Sequence, residues 1–466
     1  MKPHQPFTKT PLSLSLSPSL RIMVVSSKEE SPVYGIKLSS VGPAKVTGQD
    51  VVHEPTNMDL AMKLHYLRGV YYFSSQALEG LTITNMKESS FTLLNYFYVA
   101  CGRFRRSESS GRPYIKCNDC GVRFIEAHCV NTVDEWLEMV KDVDDDDNGD
   151  LHKLLSYNQV IGPELPFSPL VLLQQIITRF KCGGISVGLT WAHVLGDTLS
   201  AVDFMNAWGQ VMAGHKPAQS LKPDQSHTKI EISSSPLKRS EDPLSVKRFG
   251  PVGDHWISPN NCKMEAFSFQ LSTKQISQLH SKVCGQVGTK TIPVFQSLCA
   301  LIWKTIAKIR DGPEPKVVTI CKNNPQNGHK NGLLSNGQVV SVVEASFSIM
   351  EANLKELAEL VINQAMDEQS KIEEAMERDQ GLSDFVIYGS NLTFVDLEDV
   401  NLYGFELKGQ KPVYATYAID GVGDEGAVLF LPGPKDGNGG KVVTLIMPQN
   451  QVLKLKYELK REFSTA

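Results

Sequence analysis

The sequence predicts a mixed α/β chain folded as two domains of similar size. Three observations carry that expectation. The chain has 466 residues, more than one ordinary hydrophobic core accommodates. Strand-like apolar runs and helical periodicities occur both before and after residues 214–262. That stretch is poor in apolar side chains and rich in Ser, Pro, Lys and Asp, as a crossover between domains would be. The expected boundaries are 1–30 for a disordered or targeting-like extension, 31–213 and 263–466 for the domains, and 214–262 for the linker.

In chain order, residues 11–20 (Pro-Leu-Ser-Leu-Ser-Leu-Ser-Pro-Ser-Leu) are of low complexity, and no acid precedes Glu29. With Lys2, Lys9 and Arg21 this composition resembles a transit peptide. It lacks an unbroken apolar core and a long amphipathic helix, so a disordered extension is expected; Met23 is a second plausible start. Residues 33–54 read as short strands. Leu60, Leu64, Leu67 and Tyr71 predict a helix over 59–74, and a second is expected over 86–99, ending at Gly102. Residues 113–127 read as a hairpin, Tyr114 and Ile115 facing Val122, Phe124 and Ile125 across a turn at Asn118-Asp119. Two apolar runs in 169–191, around Lys181-Cys182-Gly183-Gly184, read as buried strands. Leu199, Val202, Met205, Trp208 and Met212 form one stripe of a helix over 198–212. A strand follows at 265–271, then helices at 273–285, at 293–309 with Pro293 in its first turn, and at 352–378. Residues 383–458 read as strands. No internal repeat is visible.

Bulk properties exclude several function classes. Apolar (41%) and charged (21%) fractions are those of an average globular chain. A net charge of −4 without a Lys/Arg tract gives no electrostatic support for a nucleic-acid partner. No apolar run reaches the length of a membrane span, so membrane association would be peripheral or through a partner. Nine scattered cysteines read as free thiols of a reducing compartment. Cys117 and Cys120 with His128 and Cys129 have poor zinc spacing, so no metal site is expected. The acidic run Asp142 to Asp150 reads as a solvated loop. Asn391-Leu392-Thr393 matches a glycosylation acceptor but has no secretory signal to give it meaning. Gly421-Val422-Gly423-Asp424-Glu425-Gly426 fits a dinucleotide-type glycine pattern, yet a strand rather than a helix follows, so a hairpin turn is expected. No Gly-x-Ser-x-Gly nucleophile elbow occurs.

Chemistry concentrates at His193-Val194-Leu195-Gly196-Asp197, between a buried strand and a helix. Gly196 argues for a turn, and Asp197 is placed to cap the helix beginning at Thr198. A histidine at the carboxyl end of a strand is suited to act as a general base. A buried, hydrogen-bonded structural histidine is the competing reading.

The words around this segment are similar to the central signature of the BAHD acyltransferases, a plant superfamily using acyl-CoA donors. They are Phe180 to Gly188, then Trp191-Ala192-His193, Asp197, Phe204 and Trp208. Ala100-Cys101-Gly102-Arg103-Phe104, the Cys117 to Ala127 stretch and the Thr291 to Lys304 helix resemble further family segments, in order, over roughly residues 33–458. The resemblance implies two mixed-sheet domains of chloramphenicol-acetyltransferase-like type with a channel between them. It also implies His193 as catalytic base and Asp197 as its companion, acyl-CoA as substrate or ligand, and no bound cofactor. Cofactor-contacting residues stay unknown.

Departures narrow the resemblance. Thr198 stands where the family has Gly, and Leu402 to Pro412 replaces the second motif, Asp-Phe-Gly-Trp-Gly before Lys-Pro. Cys321-Lys322-Asn323 replaces an Arg-x-Arg strand, which leaves Lys322 as the cation there. With the Met58 to Tyr72 stretch, these resemble the eceriferum/glossy branch. That resemblance implies help in elongating very-long-chain acyl-CoAs for cuticular wax, beside a membrane condensing enzyme (a 3-ketoacyl-CoA synthase). The chain would then be a cytoplasmic monomer at the cytosolic face of the endoplasmic reticulum, and His193 need not be catalytic.

Overall fold

The computed structural model describes residues 31–141, 152–156, 168–217, 242–253, 256–284, 292–323, 334–434 and 440–464. The extension, the acidic loop 142–150 and most of the expected linker therefore lie outside the described residues.

Two sheets dominate. The first has six strands, in spatial order Val33–Val41, Val122–Cys129, Val171–Arg179, Ile185–Ala192, Tyr66–Phe73 and Tyr414–Asp420. Only Val122–Cys129 and Val171–Arg179 run parallel in it. The last strand comes from the C-terminal half and pairs with Tyr66–Phe73, from Tyr414 opposite Tyr72 to Asp420 opposite Tyr66. The second sheet has seven strands: Met264–Leu271, Lys441–Pro448, Ala427–Pro432, Leu392–Asp396, Val317–Lys322, Val339–Glu344 and Met366–Asp367. Leu392–Asp396 is parallel to both of its neighbours.

Helices complete the layers. Ile83–Tyr96 packs against Thr198–Met212 beside the first sheet. The helix Val294–Ile309 lies between Thr273–Cys284, Leu354–Asn363 and Gln449–Ser464, sealing a core with Phe394, Phe430 and Leu445 of the second sheet. A larger core runs from Leu67 and Tyr71 of the first sheet through Phe385 and Tyr388 to Leu429 and Ile446, so apolar packing is continuous between the halves. The architecture is the mixed α/β, two-sheet one expected.

Several elements fall where the sequence places them, including both strands in 169–191 and the helices at 83–96, 198–212, 273–284 and 294–309. Four differ. Residues 59–74 form a short helix, Asn57–Ala61, and then the strand Tyr66–Phe73, in which every residue is buried. A strand covered on both faces shows no alternation, so chance spacing of leucines looked helical. The hairpin at 113–127 does not form. Pro113–Lys116 pairs with Val52–His53 and Arg103–Arg106, whereas Val122–Cys129 joins the first sheet. The chain changes sheets through left-handed Asp119 and Gly121, and Arg103 donates to the Gly102 and Gly121 carbonyls at 2.7 and 3.0 Å. Residues 352–378 divide into helices Leu354–Asn363 and Gln369–Arg378 because Met366–Asp367 pairs with Ser341 and Val342 between them. The C-terminal strands stop at Pro448, and Gln449–Ser464 is a helix.

Candidate functional site

His193 opens a single 3₁₀ turn, His193–Leu195, at the carboxyl end of strand Ile185–Ala192. Gly196 then takes φ +149°, where a Cβ would meet Ser200 Oγ at 2.6 Å and Ser335 N at 3.0 Å. The turn therefore requires glycine. The Asp197 carboxylate accepts the Ser200 N–H at 3.0 Å and caps helix Thr198–Met212, as the sequence implies. Its other oxygen accepts the Gly337 N–H at 3.0 Å, and its own N–H donates to the Ser335 carbonyl at 3.2 Å. Asp197 thus ties the turn to residues 335–337 of the C-terminal half. Lys322 has its ammonium over the Phe295 ring, 4.8 Å from the centroid.

The His193 ring has zero solvent exposure. Its Nε2 lies 3.0 Å from the Tyr388 hydroxyl, which donates to Gln338 Oε1 at 2.8 Å. A tyrosine has one hydroxyl proton, and here Gln338 receives it, so His193 Nε2 carries a hydrogen and donates to Tyr388. The basic lone pair then sits on Nδ1, which is buried and makes no hydrogen bond. Burial lowers the His193 pKa to about 4, against the opposing influence of its own backbone and then of the Asn336 carboxamide. Asn336 donates to the His193 carbonyl at 2.9 Å and to Asp59 Oδ1 at 2.8 Å.

A second histidine completes the group. The His193 N–H donates to the His65 carbonyl at 3.1 Å, and the two rings lie 6.4 Å apart. His65 Nε2 accepts the Ile387 N–H at 3.1 Å, and the ring stands edge-on to Tyr388 at 4.8 Å. Burial, then the neighbouring His193, lower the His65 pKa to about 3. Both imidazoles are neutral near pH 7. Tyr388 is held by His193, Gln338 and His65 together.

The altered second motif lies beside the same helix. Phe405 stacks on Trp208, 5.4 Å between centroids, and meets Tyr71 and Phe73 edge-on at 5.2 and 5.5 Å. Aromatic packing in Leu402 to Leu407 fills this region.

Of the residues singled out from sequence, His193 and Asp197 come together in one turn. His65, Asn336, Gln338 and Tyr388 were missed. His65 lies inside the predicted helix and Tyr388 is 50 positions from Gln338, so neither is marked locally; Asn336 and Gln338, polar residues just before the apolar run at Val339, are the one available signal. Among the described residues no group of three or more His, Cys, Asp or Glu is placed to hold an ion. Gly421-Val422-Gly423 leads into strand Ala427–Pro432, so no helix N-terminus follows it. No helix among the described residues is long and apolar enough to cross a membrane.

Comparison with known proteins agrees with this architecture. Residues 39–461 match the model of the Transferase family. ECERIFERUM 26 of Arabidopsis thaliana is 40% identical over 432 residues, which cover 93% of this chain and 96% of that protein. Among solved structures, vinorine synthase superposes with a TM-score of 0.65 at 17% identity, covering 92% of this chain and 98% of its own. TRI101 of F. sporotrichioides, complexed with coenzyme A and T-2, gives 0.62 at 13% identity, covering 89% and 98%. The chain belongs to the BAHD acyltransferase family, within its ECERIFERUM branch.

Proposed function

We propose that this protein promotes elongation of very-long-chain acyl-CoAs for cuticular wax by acting with a membrane 3-ketoacyl-CoA synthase, without needing acyl transfer of its own. The observation that carries this reading is the state of His193. Its Nε2 is engaged by Tyr388, its ring is wholly enclosed, and a conjugate acid of pKa about 4 makes it a weak base. General-base catalysis is most effective when that pKa lies near the working pH. The lone pair left on Nδ1 is enclosed with the rest of the ring, so an acceptor alcohol or amine has no open path to it. The identity to ECERIFERUM 26 supports the wax branch, and coenzyme A bound in TRI101 supports acyl-CoA as the ligand.

On this reading the domains 31–213 and 263–466, joined through 214–262, enclose a channel for the acyl chain. Burying each CH₂ of such a chain contributes about 0.8 kcal/mol, so an apolar channel holds it without chemistry. The protein works as a cytoplasmic monomer at the cytosolic face of the endoplasmic reticulum and needs no cofactor.

One observation favours a second reading, a catalytic acyl-CoA-dependent O- or N-acyltransferase. The His193 Nδ1 lone pair is free of any hydrogen bond, as a base must be. His193 would take the acceptor's proton as the acceptor attacks the thioester carbonyl, and CoA would leave; Asp197 would hold the turn. Co-expression with a condensing enzyme separates the two. Acyl products are profiled for the wild type and His193→Ala at equal abundance. Equal lengthening supports the accessory role, and lengthening by the wild type alone assigns the base chemistry.

A further inference from the structure

The outer face of the C-terminal half carries charge opposite to that of the chain. Helix Gln449–Ser464 buries Val452, Leu455, Leu459 and Phe463 in the second core. Its opposite side presents Leu453 (53% exposed) and Tyr457 (66% exposed), one turn apart, with Lys460 one turn further. Lys454 and Arg461 flank this stripe on one side and Lys456 on the other.

Beside the stripe lies a groove of about 480 Å³ between the helices Thr273–Cys284, Val294–Ile309 and Gln449–Ser464 and the segment Met350 to Leu354. Leu301, Thr305 and Leu354 line it with Met350, itself 51% exposed. Lys282, Lys304 and Lys308 line it too. Carboxylates are fewer on this face. Glu462 pairs with Lys282 at 2.8 Å, Glu458 with Lys308 at 2.9 Å and with Arg461 at 2.5 Å, and Asp311 with Lys454 at 3.2 Å. Seven cations thus accompany four carboxylates, exposed Glu351 of the Met350 to Leu354 segment included, on a chain whose net charge is −4.

We infer that this face docks on a membrane surface bearing anionic phospholipid. Leu453 and Tyr457 enter the interfacial layer, where an aromatic ring with a polar tip is well accommodated. The flanking cations meet headgroup phosphates. The groove takes one headgroup phosphate, because Lys282, Lys304 and Lys308 outnumber Glu458 and Glu462 in its lining. Charge complementarity selects an anionic lipid surface over a neutral one.

The test uses the full chain and co-sedimentation with vesicles of phosphatidylcholine, alone or mixed with phosphatidylserine. Binding is expected to the mixed vesicles only, declining as salt rises. Lys454→Glu, Lys460→Glu and Arg461→Glu combined should lower partitioning by at least about tenfold. Leu453→Ser with Tyr457→Ser should lower it by roughly fivefold, with far-UV circular dichroism and thermal midpoint unchanged. Equal binding to both vesicle types, no binding to either, or folded variants that partition like the wild type would each overturn the inference. Retention on an immobilised acidic peptide without vesicle binding would assign the face to a protein partner and overturn it as well.

Discussion

Replacing Asp197 with alanine removes two hydrogen bonds from one buried site. The first is the cap on Ser200 N, at 3.0 Å, for the helix that carries Phe204 and Trp208 into the core. Losing an N-cap of this kind costs about 1 kcal/mol. The second is the 3.0 Å bond from Gly337 N–H, which joins the turn to the C-terminal half. An N–H left unpaired in a buried site costs about 1–3 kcal/mol. Asp197→Ala should therefore destabilise the protein by about 2–4 kcal/mol. Asp197→Asn should lose less, because asparagine also caps helices and forfeits only the Gly337 partner. Urea unfolding followed by tryptophan fluorescence measures both variants. Trp191 reports locally, since its indole donates to the Gly196 carbonyl at 3.0 Å. An Asp197→Ala midpoint equal to that of the wild type would refute the capping argument, as would an asparagine variant no better than alanine.

Four further outcomes are expected. Acidification should destabilise the fold between pH 6.5 and about pH 4, because His193 and His65, with pKa values of about 4 and 3, stay neutral while the unfolded chain takes up protons. Each ring contributes up to about 1.4 kcal/mol per pH unit there, so His65→Asn should flatten the dependence of the unfolding midpoint on pH. Lys63→Met should cost about 3–5 kcal/mol in denaturant unfolding, since it strands Asp384, its partner at 2.8 Å in a buried pair. Gly196→Ala should lower the soluble yield and thermal midpoint more than alanine at an exposed glycine such as Gly214, because its Cβ collides with Ser200. Tyr388→Phe leaves both His193 Nε2–H and Gln338 Oε1 without their partner, which should cost about 1–3 kcal/mol in the same unfolding assay while product lengthening persists.

What the sequence made legible was local. The turn at Gly196, the cap at Asp197 and the helix behind it are set by a few consecutive residues. The Ile185–Ala192 strand was legible because its apolar run is bounded by glycines. Tyr66–Phe73 was not, because burial on both faces erases the period that marks a strand. Sheet membership was not legible either: nothing within residues 113–127 says that Pro113–Lys116 and Val122–Cys129 choose different partners. For the same reason the surroundings of His193 stayed hidden. Tyr388 reaches it across 195 positions and Asn336 across 143, distances at which only the assembled fold supplies the contact.

The strand Tyr414–Asp420 has a consequence for how the gene product can be divided. Until it is synthesised, Tyr66–Phe73 has an open edge, apolar but for Arg68 and Gly69, and such edges recruit strands from other chains. Truncated products ending before Tyr414 should therefore aggregate rather than persist as half-working fragments. Chimaeras with relatives face the same constraint. A transplanted N-terminal half must bring its own 414–420 strand, although that strand is encoded far beyond any boundary drawn near residue 263. The unit of inheritance and exchange in this protein is the entire sheet, not the contiguous segment.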